Sequence, residues 1–209
     1  NADGSIRVLY AGTSPDTTEG MIGVSAYNNL SYNSDPMYVG YMYGTSGSLK
    51  NNKTNENSSD IKKYIDKWYE KTLFNYSKYL STTSVFCNGR VLGKNQEYSM
   101  SSYFDFEAMD RLYHDSAIKP TYDCSDINDK FTIDSTVGNG KLTYPIALMT
   151  ADEVVYAGGN YNQYSNNKIP WYSSNSKGKD IIYNYFFIND TLNGDPSPYL
   201  MTAMGYEEY

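Results

Sequence analysis

The segment SSDIKKYIDKWYEKTLFNYSKYL, residues 58–80, carries the strongest helical period in the chain and limits what can form around it. Ser59 or Asp60 offers an N-cap, and Ile61, Tyr64, Ile65 and Trp68 fall on one face. Leu73, Tyr76 and Leu80 continue that face after a break. A helix with one apolar stripe needs a second layer to cover it, so Trp68 is read as a core anchor. Lys62, Lys63, Lys67 and Lys71 read as the solvated side. A chain of 209 residues can bury such a core in one domain, spanning 1–209, with room for large insertions.

A second local signal lies in PIALMTADEVVYAGG, residues 145–159. It reads as an apolar strand running into a helix of two turns. Thr150 is the N-cap and Glu153, three residues on, completes a capping box. Asp152 and Glu153 also suit the positive end of the helix dipole. Val154, Val155 and Ala157 supply an apolar side, and Gly158 permits a left-handed C-cap. Glu153 is therefore a cap rather than a catalytic acid.

Elsewhere the pattern is short strands among loops. Ser5–Tyr10, Met21–Val24 and Tyr38–Tyr43 read as strands, as does Asp180–Ile188. SVFCNGRVLG is a short strand or turn pinned by Cys87, and Phe104–Tyr113 is a possible second helix. Residues 44–60 are polar and read as a loop or flexible insertion, and Gly138–Gly140 as a turn. The resulting class is α+β, with short antiparallel strands, two or three helices and much irregular loop. Asp3-Gly4 is a hairpin signal with no strand before it, and the chain opens on Asn1; both predict a product trimmed at its ends.

The chemistry that can be searched for by motif is thin. A net charge of −7 with no basic patch argues against nucleic acid and anionic membrane surfaces. No apolar run reaches the length of a membrane helix. The single histidine, His114, stands beside Asp115, but neighbouring residues point in different directions, and no G-x-S-x-G motif is present. The expectation is a chain without catalytic residues. Asp123, Asp126 and Asp129, and again Asp190 and Asp195, are either solvated loops or oxygen-rich calcium loops, neither with EF-hand spacing. No other cofactor is implied. Cys87 and Cys124 predict one disulfide closing a loop of about 38 residues, worth roughly 3 to 4 kcal/mol, with two buried thiols as the alternative.

Composition points outside the cell. The chain has 24 Tyr, 23 Ser and 21 Asn, and only 3 Arg against 14 Lys, a mixture that suits an exposed extracellular surface. Residues 160–199 form a loop-rich tract of the same character. Tyr161, Tyr164, Trp171, Tyr172, Tyr183 and Tyr185 are its candidate binding residues, since Tyr, Ser, Asn and Gly build adaptable recognition loops; a plain surface loop is the alternative.

The strand–Thr-x-x-Glu–helix–Ala-Gly-Gly unit resembles the central helix motif of the formylglycine-generating-enzyme branch of the C-type-lectin fold. DGSIRVLYAGT, YVGYMYGTSGS, SSDIKKYIDKWYEKTL, VFCNGR, LTYPIALMTADEVVYAGG and PYLMTAMG together resemble prepilin-like extracellular proteins of gut Firmicutes, over about a third of the chain. The resemblance implies a non-catalytic lectin-like fold on a pilus or cell surface. Both cysteines precede Thr150, unlike the catalytic cysteines of the enzyme branch, so that chemistry does not carry over. Related chains continue at both ends; this implies closing strands supplied by removed sequence or by a neighbouring subunit through strand addition. Two functions follow as expectations: a pilin-like filament subunit, or an adhesin that binds glycan or host protein.

Overall fold

The computed structural model describes residues 6, 8, 22–23, 25–28, 36–45, 49–99, 102–114, 119–156, 201 and 205–206. The helical period at residues 58–80 is realised as expected. Ser59 Oγ accepts from the Lys62 amide at 3.2 Å and opens α2, Asp60–Thr72. At Leu73 the chain tightens into a 3-10 helix, Phe74–Tyr79, which is the anticipated break. The other helices are α1 (Leu49–Asn52), α3 (Glu107–Met109) and α4 (Ala151–Tyr156).

The strands are two residues each: β1 (Met42–Tyr43), β2 (Asn57–Ser58), β3 (Phe86–Cys87), β4 (Phe104–Asp105), β5 (Lys130–Phe131) and β6 (Gly205–Tyr206). They form three antiparallel pairs, β1 with β2, β3 with β5 and β4 with β6, in the registers Met42↔Ser58, Phe86↔Phe131 and Phe104↔Tyr206. The described chain is thus α+β, with short antiparallel strands and much loop. Cys87 and Cys124 are joined in a disulfide, which settles the thiol alternative.

The core forms where α2 meets the first two strand pairs. Ile61 and Ile65 pack with Tyr41, Met42, Phe86, Phe131, Leu142 and Met201. A second cluster centres on Phe104 and Phe106, set edge to face at 5.5 Å, with Val39, Leu92 and Tyr98 around it. α2 is turned slightly from the predicted face. Its fully buried aromatic is Tyr69, stacked on Tyr144 at 4.6 Å, while Trp68 is only half-buried. The i, i+4, i+8 row of Ile61, Ile65 and Tyr69 meets the core, rather than the row through Trp68. Lys62 rotates inward with it and is buried, its Nζ donating to Asp66 Oδ2 at 2.6 Å and Thr143 Oγ1 at 3.2 Å. Lys63, Lys67 and Lys71 remain outside.

Several expectations need correction. Residues 49–59, read as part of a flexible insertion, contain α1 and β2 and bury Asn52, Asn55 and Ser59. Phe104 and Asp105 are strand rather than helix: their backbone pairs with β6, and the Phe104 ring packs with Phe106, Val39, Leu92 and Tyr98; helix begins only at Glu107 and passes into a π-type turn, Asp110–His114. Pro36–Tyr38 is a 3-10 turn, leaving only Met42–Tyr43 as strand. Residues 145–149 join no strand pair among the described residues. Ile146, Ala147 and Leu148 pack their side chains on the main core, and Met149 O accepts from Met201 N at 2.7 Å. Of Ser5–Tyr10 only Ile6 and Val8 are described; of Met21–Val24 only Ile22 and Gly23; none of them is in a strand. Asp180–Ile188 lies outside the described residues.

Candidate recognition surfaces

The most elaborate polar cluster is internal. Arg90 is 1 % exposed, and its Nε donates to Asp129 Oδ1 at 2.7 Å. Its Nη1 reaches Met42 O at 2.8 Å and both oxygens of Asn52, and Nη2 reaches Asn55 Oδ1 at 2.8 Å. The Arg90 amide closes back on Asp129 Oδ2 at 2.8 Å. Asn55 holds a left-handed φ of 54°, and its side-chain Nδ2 donates to Asn128 O at 2.8 Å. Gly40, at φ 117°, is required: a Cβ there would stand 2.6 Å from Asn88 Nδ2 and 2.9 Å from Arg90 Cδ. Fully buried and with every nitrogen of its guanidinium engaged, this cluster is a brace. It ties residues 40–59 to 88–90 and 126–131; Asn88 Oδ1 accepts from the Tyr41 amide at 3.1 Å, while its Nδ2 is buried with no partner among the described residues.

A second brace joins a half-buried guanidinium to a buried carboxylate. Arg111 forks onto Asp152, Nε to Oδ1 at 3.0 Å and Nη2 to Oδ2 at 2.7 Å, and the Thr121 amide donates to the same Oδ1 at 2.8 Å. The capping box of α4 is formed as predicted: the Thr150 amide donates to Glu153 Oε2 at 2.8 Å and the Glu153 amide to Thr150 Oγ1 at 3.2 Å. Asp152 thus does more than complement a helix dipole. It locks the 119–123 loop and the α3 region to the first turn of α4. Across that lock Tyr122 stacks on Tyr156, centroids 4.5 Å apart and planes 11° from parallel. Tyr156 is held further by donating to Pro120 O at 2.8 Å. The two rings are 67 % and 50 % exposed. Ser125, next to the disulfide, donates to Glu107 Oε1 at 3.0 Å, and Asp123, which follows Tyr122, is exposed. The result is a preorganised aromatic platform.

The third feature is the 3-10 helix that follows α2. Phe74, Tyr76 and Tyr79 are 58 %, 58 % and 73 % exposed, although the backbone beneath them is regular. The Tyr76 amide donates to Leu73 O at 2.8 Å and the Leu80 amide to Ser77 O at 3.1 Å. The Lys78 ammonium lies over the Tyr79 ring, 4.8 Å from its centroid. None of the residues Phe74–Tyr79 is buried, so this is a projecting ridge.

The candidate residues read from sequence are placed unevenly. Tyr161, Tyr164, Trp171, Tyr172, Tyr183 and Tyr185 lie outside the described residues, as do Asp115, Gly158, Asp190 and Asp195. The triad Asp123, Asp126 and Asp129 is split three ways. Asp129 belongs to Arg90, Asp126 caps the turn at Ile127–Asp129 and binds Lys53 at 2.6 Å, and Asp123 is exposed. Burial alone would raise the Asp126 carboxyl, but the Lys53 ammonium and the two Asn128 donors outweigh it and hold the group below the usual carboxylate range. Two of the three aspartates are thus occupied by cationic side chains rather than free for calcium, and among the described residues no group of three or more His, Cys, Asp or Glu could hold a metal. Arg90 and Arg111, and with them the fork that Asp152 receives, were missed from sequence. Their signal was scarcity: in a chain with 3 Arg and 14 Lys, an arginine marks a place that needs a planar fork. No helix among the described residues is long and apolar enough to cross a membrane. Comparison with family models, with curated proteins and with solved structures returned no match.

Proposed function

We propose that the chain is an extracellular structural subunit of a bacterial cell surface, pilin-like in setting and built on a lectin-like scaffold, which assembles through exposed aromatic surface. The observation that carries this reading is the ridge Phe74–Tyr79. An ordered segment that keeps three aromatic rings in water gains nothing from them within the monomer, and exposed apolar surface of this kind marks contact sites. Ile6 and Val8 are likewise 86 % and 81 % exposed. The disulfide fits an oxidising compartment. No reaction is assigned to the chain. Sedimentation velocity from micromolar to millimolar concentration tests the reading. Mass should rise with concentration, and a monomer across the whole range would refute it.

The platform of Tyr122 and Tyr156 favours a second reading, an adhesin. Rigid, exposed rings suit the C–H face of a sugar, and the exposed Asp123 follows Tyr122 in the chain. Glycan-array binding that disappears in Tyr122→Ala would support it; binding that survives there and is lost in Trp171→Ala or Tyr172→Ala would move the site to the 160–199 tract.

A further inference from the structure

We propose that Tyr122 and Tyr156 are a dityrosine cross-linking site, at which hydrogen peroxide acting through a haem peroxidase joins the two rings by a carbon–carbon bond. The inference is independent of the filament and adhesin readings. The rings lie face to face, centroids 4.5 Å apart and planes 11° from parallel, so ring carbons of one phenol already stand over those of the other. Both side chains are exposed, open to a diffusing oxidant. The pair is also held in place. Tyr156 donates to Pro120 O at 2.8 Å, and Asp152 fixes the opposing loop through the amide of Thr121, the residue before Tyr122. Two radicals formed on these neighbouring rings meet without a search, the situation in which proximity accelerates a coupling most. Both cysteines of the chain are in the disulfide, so no thiol is present to return a hydrogen atom to a tyrosyl radical.

The step balances with peroxide as the co-reactant. Each phenol gives up one electron and its hydroxyl proton, and the two radicals couple at the ring carbons beside the oxygens to form one Cε–Cε bond. The hydrogen on each coupled carbon then leaves as a proton while the oxygen of the same ring takes one up, which restores both phenols. One hydrogen peroxide accepts the two electrons and two protons and becomes two waters. Burial and geometry together select this pair. Tyr69 and Tyr144 stack as closely, at 4.6 Å and 15°, but Tyr69 is fully buried. Tyr38 and Tyr43 meet edge to face at 82°, and Tyr43 is buried. The cross-link closes the chain between residues 122 and 156 and, two residues from Cys124, extends the covalent path from β3 through the loop to α4. Such a closure restricts the unfolded chain more than the folded one.

Treating the whole chain, in dilute solution, with a haem peroxidase and hydrogen peroxide tests the site. The expected product is a monomer lighter by two hydrogen atoms, with blue bityrosyl fluorescence whose yield per chain is unchanged on further dilution. Tandem mass spectrometry should join the peptides that carry Tyr122 and Tyr156, and the cross-linked chain should melt at a higher temperature than the untreated one. Tyr122→Phe, a change on an exposed side chain, should abolish the monomeric product while far-UV circular dichroism stays that of wild type. In urea, with the disulfide intact, coupling should scatter over other tyrosines, because the folded chain is what pairs these two. A yield that falls with dilution, a link that bypasses Tyr122 or Tyr156, fluorescence undiminished in Tyr122→Phe, or no product from the folded chain would each overturn the assignment.

Discussion

Two segments flank α2 and contradict their own polarity. Residues 49–59 are nearly all polar, yet Asn52, Asn55 and Ser59 are buried. Residues 71–80 include Phe74, Tyr76 and Tyr79, yet all three are exposed. The difference lies in partners. The first segment faces Arg90, whose buried guanidinium requires acceptors from several directions, and the asparagines and backbone carbonyls supply them. The second leaves α2 through 3-10 turns that carry it away from the core, so its rings find no cover. Burial here follows satisfied geometry more closely than hydropathy.

The largest test of this contrast is to strip the buried brace. Asp129→Ala leaves the Arg90 charge without its carboxylate and should cost about 3 to 5 kcal/mol in urea unfolding. A loss under about 1 kcal/mol would mean that the cluster is solvated and the contrast false. Next in size, replacing Cys87 and Cys124 together by Ala should cost roughly 3 to 4 kcal/mol, since the bond joins β3 to the loop before β5 and so supports the same brace.

A smaller and opposite effect is expected in the core. The hydroxyls of Tyr41 and Tyr69 are buried with no hydrogen-bond partner among the described residues, so Tyr41→Phe should gain about 1 kcal/mol. Burial, and then the charge of Asp66, raises the Tyr41 hydroxyl well above the usual tyrosine value. A raised value in the folded state means that this contribution is whole below the ordinary tyrosine range and is lost as pH climbs through and beyond it. Wild type should therefore lose stability in alkali, and Tyr41→Phe should lose less; identical alkaline limbs would contradict the burial argument. The smallest effect is expected outside. Phe74→Ser or Tyr79→Ser should shift the unfolding midpoint by no more than about 0.5 kcal/mol of stability. A larger loss would show the ridge to be packed after all.

The parts of this fold that could be read directly are those whose partners lie within one helical turn. The Ser59 cap, the stop at Leu73 and the Thr150–Glu153 box all follow from spacings of three or four residues, and two cysteines allow a single pairing. Contacts across tens of residues were a different matter. Arg90 draws on partners 35 to 48 positions before it and 39 after, and Asp152 on Arg111, 41 positions away. Nothing in a local window distinguishes Asn55 in that cluster from an asparagine in a solvated loop, or says that Tyr69 rather than Trp68 will face the core. Such choices are made when whole elements dock, because a fork of donors is satisfied only by groups that the rest of the chain brings to it.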